Sequence, residues 1–175
     1  NVPRPKGHFR IDLPAKEYRE FNVLDEDKAL PFSFEYPVYG KISPGTDDPG
    51  KQGWFNIEFP AYKAKIYLTY MKVGSDFNEI MEQTYRMNVK NHITRADAIS
   101  EKYYSDTSRK VYGILYDLKG NTATAVQFYL TDSVKHYLRG SLYFDAEPDE
   151  DSLSPVIDFF RADIEHLAES LRWKH

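Results

Sequence analysis

The stretch from Val111 to Asp149, VYGILYDLKGNTATAVQFYLTDSVKHYLRGSLYFDAEPD, constrains the fold more than any other part of the chain. It reads as three successive β-strands. Lys119-Gly120-Asn121 supplies the residues tolerant of φ > 0 that a tight hairpin needs between the first two. On the second strand Val126, Phe128 and Leu130 share one face, and Ala125, Gln127 and Tyr129 the other. On the third, Leu138, Leu142 and Phe144 oppose Arg139, Ser141 and Tyr143. This half-polar alternation predicts an antiparallel sheet with only one face fully dry. A helix from Pro155 to Trp173 follows, with Ser154 as N-cap and Pro155 at the first helical position, where a missing N–H costs nothing. Its stripe of Ile157, Phe160, Ile164, Leu167 and Leu171 fits the dry face, while Asp158, Arg161, Glu165, Glu169 and Arg172 are expected to meet solvent.

Upstream, Pro3, Pro5 and Pro14 favour extended backbone, and Arg4, Lys6, Arg10, Lys16 and Arg19 make this arm locally basic. Phe9, Ile11 and Leu13 alternate as in a short edge strand. Phe32, Phe34 and Tyr36 then line one face of a strand that Pro37 ends or confines to an edge. Ser43 to Gly53 is turn chemistry and predicts a surface loop. Trp54–Pro60 and Ala64–Met71 read as two strands joined as a hairpin at 60–63. Asp76 with Glu79 resembles a capping box, opening a helix whose apolar face is Phe77, Ile80, Met81, Thr84, Tyr85 and Met87. A further short strand is expected over Ala98 to Tyr104.

These elements predict an α+β fold: an antiparallel sheet of about five or six strands covered by two main helices. Residues 1–30 form an extended arm packed on or near a single domain of residues 31–175. The order of strand pairs around a helix, then three strands and a closing helix, resembles the PsbP/Mog1-like sandwich.

A formal net charge of −4 argues against a phosphate-neutralising, nucleic-acid-binding chain. No run of 18 apolar residues is present to span a bilayer as a helix. With no cysteine, neither a disulfide nor a thiolate ligand or nucleophile can form within these residues.

No catalytic, cofactor or metal site stands out. Asp132, Ser133 and His136 lie within five residues, but triad members normally come from separate elements and no G-x-S-x-G elbow exists. A turn in which Asp132 or Ser133 caps the backbone accounts for them. Asp145, Glu147, Asp149 and Asp151 alternate like the opening of a calcium loop. Glu150 nevertheless stands where that loop needs glycine, and Val156 where it needs a bidentate Glu. His8, His92, His136, His166 and His175 show no paired ligand spacing. Trp54, Tyr62 and Tyr70 read as core aromatics, with a glycan or peptide platform as the other reading.

Seven segments in order resemble the gliding-motility-associated lipoprotein GldD family of the Bacteroidetes: FRIDLP (Phe9–Pro14), PFSFEYPVYGKI (Pro31–Ile42), WFNIEFP (Trp54–Pro60), KIYLTY (Lys65–Tyr70), VYGILYDLKGN (Val111–Asn121), VQFYLTDSVKHYLRGSLYF (Val126–Phe144) and DSLSPVIDFFRADIEHLAESLRW (Asp151–Trp173). The resemblance implies export to the cell envelope and a lipidated cysteine ahead of Asn1, with the domain in the periplasm. It implies a role in gliding motility and type IX secretion-associated machinery, and it brings no catalytic residues. The function expected is a non-enzymatic module that binds envelope proteins, with no cofactor. The alternative is a binding domain for cell-wall glycan or lipid. The expected contact surface is the turn and strand around Asp132, Lys135, His136 and Arg139, where charged groups cluster at a strand end.

Overall fold

The computed structural model describes residues 13–21, 30–44, 54–85, 98–119, 125–145 and 150–174. Among the described residues ten strands build two antiparallel sheets. The small sheet contains β1 (Tyr18–Phe21), β2 (Phe32–Pro37) and β10 (Arg172–Trp173), in the order β1-β2-β10. The large sheet contains β3 (Lys41–Pro44), β4 (Trp54–Phe59), β5 (Ala64–Lys72), β6 (Ala98–Asp106), β7 (Val111–Lys119), β8 (Val126–Thr131) and β9 (His136–Phe144). Its order is β3-β4-β5-β9-β8-β7-β6. Two α-helices complete the described fold, α1 (Phe77–Tyr85) and α2 (Glu150–Ser170).

The expected alternation builds the core. Val126, Phe128, Leu130, Leu138, Leu142 and Phe144 are buried, as are Phe160, Ile164, Leu167 and Leu171 of the closing stripe. The small sheet and α2 pack on the same face of the large sheet. Phe160 meets Phe59 at 4.4 Å between ring centroids, and Phe21 stacks on Phe55 at 5.1 Å. Gly140 lets this face close: a Cβ there would sit 2.4 Å from the Phe128 ring, so the ring covers bare strand backbone.

The α+β class holds, and the strand count is larger than expected. The arm contributes β1, which periodicity did not reveal, while the strand expected over Phe9, Ile11 and Leu13 falls mostly outside the described residues. Pro37 ends β2, which is the central strand of the small sheet and not an edge. The 60–63 hairpin forms as a 3-10 turn over Pro60–Tyr62, with Lys63 at φ 51°. The 98–104 strand extends to Asp106. Gly120 and Asn121 lie outside the described residues, and β7 and β8 pair as expected. The second face of the large sheet is drier than its polarity suggested, with Tyr116, Leu118, Gln127 and Tyr137 all buried. Phe77, Ile80 and Met81 of α1 are half-buried.

α2 departs from expectation at both ends. It begins at Glu150, so Pro155 lies inside it, and the carbonyl this proline cannot serve is that of Asp151, near the helix start. Ser154 and Pro155 are exposed. The helix stops at Ser170, and at that end Arg109 Nη1 donates to the carbonyls of Ala168 (3.1 Å) and Leu171 (2.8 Å). A cation at the C-terminal carbonyls is favourable both to the dipole and to unmet acceptors. The freed chain then pairs Trp173 with Phe32. Arg161, expected in solvent, is half-buried and binds Asp117 at 2.7 Å as well as Asp158.

Candidate functional site

The β8–β9 turn carries the residues singled out by sequence, and the structure divides them. Asp132 Oδ1 accepts the backbone N–H groups of Val134 (3.0 Å), Lys135 (2.9 Å) and His136 (2.8 Å). Thr131 Oγ1 donates to the carbonyl of His136 (2.6 Å) and accepts from Ser133 N–H (3.0 Å). These bonds hold Ser133 at φ 69°, a left-handed conformation unfavourable for a residue with a Cβ. The turn docks on the end of β5, where Val73 N–H donates to the Lys135 carbonyl at 2.8 Å. Burial opposes ionisation of Asp132, but the N–H groups of His136, Val134 and Lys135, with the charge of His136, hold its carboxyl below the usual range.

His136 lies beneath this turn. Its Nδ1 shares a hydrogen bond with Tyr70 Oη at 2.6 Å, and its ring stacks on Trp173 at 5.0 Å. Trp173 Nε1 in turn donates to the Lys110 carbonyl at 2.8 Å. Burial, and then the charge of Asp132, pushes the Tyr70 hydroxyl up to about 12. Asp132 and His136 are only 6% and 4% exposed, so they build the turn and present no contact surface of their own. What remains at the surface is half-buried Lys135 and Arg139 with exposed Ser133 and Val134. Asp132 meets His136 through the backbone N–H, while the imidazole engages Tyr70, an arrangement that caps a turn and does not make a hydrolytic relay.

A second polar centre escaped the sequence reading. Asp163 of α2 is 2% exposed. Its Oδ1 accepts Lys16 Nζ and Tyr18 Oη, each at 2.8 Å, and its Oδ2 accepts the hydroxyl of Tyr39. Lys16 Nζ also donates to the Phe159 carbonyl at 2.8 Å and lies 3.2 Å from the centroid of the Phe159 ring. Tyr18 stacks on His166 at 3.6 Å, and His166 Nε2 lies 2.6 Å from Glu35 Oε1. Burial pulls the Lys16 ammonium below its ordinary value despite Asp163. Burial and then Asp163 push the Tyr18 and Tyr39 hydroxyls far upward. The network clamps the arm onto α2. A signal for it existed in the sequence: Asp163 stands three residues from Phe160 and four from Leu167, inside the apolar stripe.

The two centres occupy opposite ends of the sandwich. Tyr18 pairs with Pro37, and Tyr39 packs on Phe59, beside the ends of β5 and β9 where Ala64 pairs with Phe144. The 132–135 turn lies at the other end, where Lys72 pairs with His136 and Trp173 with Phe32. Of the aromatics weighed as a platform, Tyr62 and Tyr70 are half-buried against the core, and the Trp54 side chain is outside the described residues. Asp145 is exposed and pairs with Lys65 at 4.0 Å, while the side chains of Glu147, Asp149 and Asp151 lie outside the described residues.

A family model described as gliding motility lipoprotein GldD matches residues 1–173. Among curated proteins, no sequence matches. Among solved structures, the solution structure of cyanobacterial PsbP (CyanoP) from Synechocystis sp. PCC 6803 is similar, with a TM-score of 0.50 at 12% identity, covering 97% of this chain and 99% of that one. At that identity the likeness is one of fold, and it agrees with the sandwich expected from the order of elements.

Proposed function

The chain belongs to the gliding motility lipoprotein GldD family, and on that premise we propose that it is a non-enzymatic module acting through protein–protein contacts within motility and type IX secretion-associated machinery. Association with gliding motility and a membrane-anchored place in the cell envelope go with the family. The finer reading puts the domain in the periplasm, held by an N-terminal lipid anchor. The match over residues 1–173 carries this reading.

Geometry supports it in one respect. The described arm reaches β1 beside Pro37, and the turn bearing Lys135 lies at the far end of the sandwich. A partner can therefore approach Lys135, Arg139, Ser133 and Val134 away from the end where Lys16 and Tyr18 fasten the arm to α2. Among the described residues the two buried carboxylates are already committed, Asp132 to three backbone N–H groups and Asp163 to Lys16, Tyr18 and Tyr39.

The test is affinity purification of the full-length lipidated protein from its native envelope, followed by mass spectrometry. Motility or secretion components are expected to co-purify with the native protein. They should be lost with the Lys135→Glu/Arg139→Glu double variant, whose melting temperature should be unchanged. Undiminished recovery with that variant removes this surface from consideration. Recovery of glycan or lipid in place of proteins favours the ligand-binding alternative.

A further inference from the structure

Sheet edges invite pairing with another chain, and most of the described edges are blunted. β3 has four residues and ends at Pro44, while β1 and β10 have four and two. Short edge strands and proline are common protections against strand addition. β6 has neither. It runs nine residues with no proline, paired one-to-one with β7 from Ala98↔Lys119 to Asp106↔Val111 without a bulge. Among the described residues nothing pairs with its other side. Near its centre Tyr103 is 67% exposed, and its hydroxyl donates to Glu101.

We infer that β6 pairs antiparallel with β6 of a second copy of this chain, about a two-fold axis at Tyr103. The register follows from the pleat and the charges. If the sheet continues with matching faces, residues directly opposite must point to the same side. The pairing must then be centred on one residue. Centring on Glu101 or Lys102 sets like charges directly opposite, which is unfavourable. Centring on Tyr104 leaves only five paired residues within β6 and opposes Lys102 to Asp106, which Arg109 already holds at 2.7 Å. Centring on Tyr103 opposes Tyr103 to itself, Lys102 to Tyr104, Glu101 to Ser105 and Ser100 to Asp106, with no like-charged pair across seven residues of each strand. The Lys102–Tyr104 match has a precedent within the chain, where Lys102 Nζ lies 5.5 Å from the centroid of the Tyr104 ring.

An interface built on one strand pair falls at the small end of specific contacts, so the dimer is weak in free solution. Confinement of both copies to one membrane raises their effective concentration and compensates for that weakness.

Residues 1–175 contain no cysteine, which makes the test on them direct. Tyr103→Cys, Lys102→Cys and Val134→Cys are prepared separately, checked for native melting temperature, and oxidised with diamide. Val134 is 68% exposed and lies in the β8–β9 turn, so its variant reports random collision at matched accessibility. Tyr103→Cys should give disulfide-linked dimer about tenfold faster than either other variant, because only that residue faces its own counterpart. Equal rates for all three overturn the inference, and a faster Lys102→Cys overturns the register. Sedimentation equilibrium of the unmodified chain provides a second measurement. Its average mass should rise with concentration, and Tyr103→Lys, which places like charges on the axis, should remain monomeric. A native chain that stays monomeric at the highest soluble concentration also overturns the inference.

Discussion

Replacing Lys16 with methionine should destabilise the protein more than its place in a basic, proline-containing arm suggests. The ammonium is the cation bound to Asp163 Oδ1, and the carboxylate side chain is fully buried while that of Lys16 is one-third exposed. Breaking a buried ion pair by removing one partner typically costs about 3–5 kcal/mol, because the remaining charge is left uncompensated. Two features reduce that cost here: Tyr18 and Tyr39 still donate to Asp163, and Lys16 keeps partial contact with water. A loss of about 2–3 kcal/mol at pH 7 follows, or roughly 4–12 °C in melting temperature for a domain of this size. Methionine keeps an unbranched apolar side chain and removes the Nζ that lies over the Phe159 and Tyr39 rings, so the loss reports the ammonium and its contacts and not the loss of the stem. Denaturant melts of the native chain, Lys16→Met, Asp163→Leu and the double variant form a cycle. The double variant should lose less than the sum of the singles, since neither buried charge then remains unpaired. A Lys16→Met loss below about 0.5 kcal/mol, the ordinary size of a surface substitution, would refute the argument that the arm is clamped through this pair.

Four further outcomes follow from the geometry. Asp132 has a folded pKa below its unfolded value, so its contribution is present above about pH 4 and fades as pH falls through the folded pKa; Asp132→Asn should flatten the acid limb of a stability–pH curve, and an unchanged limb would count against this assignment. Arg109→Ala releases the carbonyls of Ala168 and Leu171 and should cost about 1–2 kcal/mol in urea melts, with faster amide exchange at the end of α2. Gly140→Ala should cost about 1–3 kcal/mol by overpacking against Phe128 and Leu68, and Phe128→Leu should recover part of it. Gly113→Ala should be worse in thermal melts, because its Cβ would lie 1.9 Å from the backbone carbonyl oxygen of Tyr129, which cannot swing aside as a ring can.

Much of the large sheet was legible because burial imposes short periods on local sequence. Phe128 and Leu130 alternate at period two, and Phe160, Ile164, Leu167 and Leu171 recur at helical spacing. The facing of those residues needed no knowledge of their partners. β1 was not legible, because Tyr18–Phe21 is a strand only through its pairing with β2, and Trp173 joins β10 only because Phe32 is beside it. The candidate contact surface was half legible for the same reason. Charge and turn chemistry singled out Asp132 to Arg139 as a candidate surface, but only the packed structure reveals that His136 is enclosed by Tyr70 and Trp173, leaving Lys135 and Arg139 closer to solvent.

Local pattern thus determined which faces turn inward and which class of fold encloses them, since those follow from backbone geometry and the exclusion of apolar surface from water. Tertiary structure decided where each polar group finds its partner. Lys16 and Asp163 are 147 residues apart in sequence, and Arg109 is 62 from Leu171. A charge can be held in a dry interior only when a partner is brought to it through space, and that depends on how the whole chain closes.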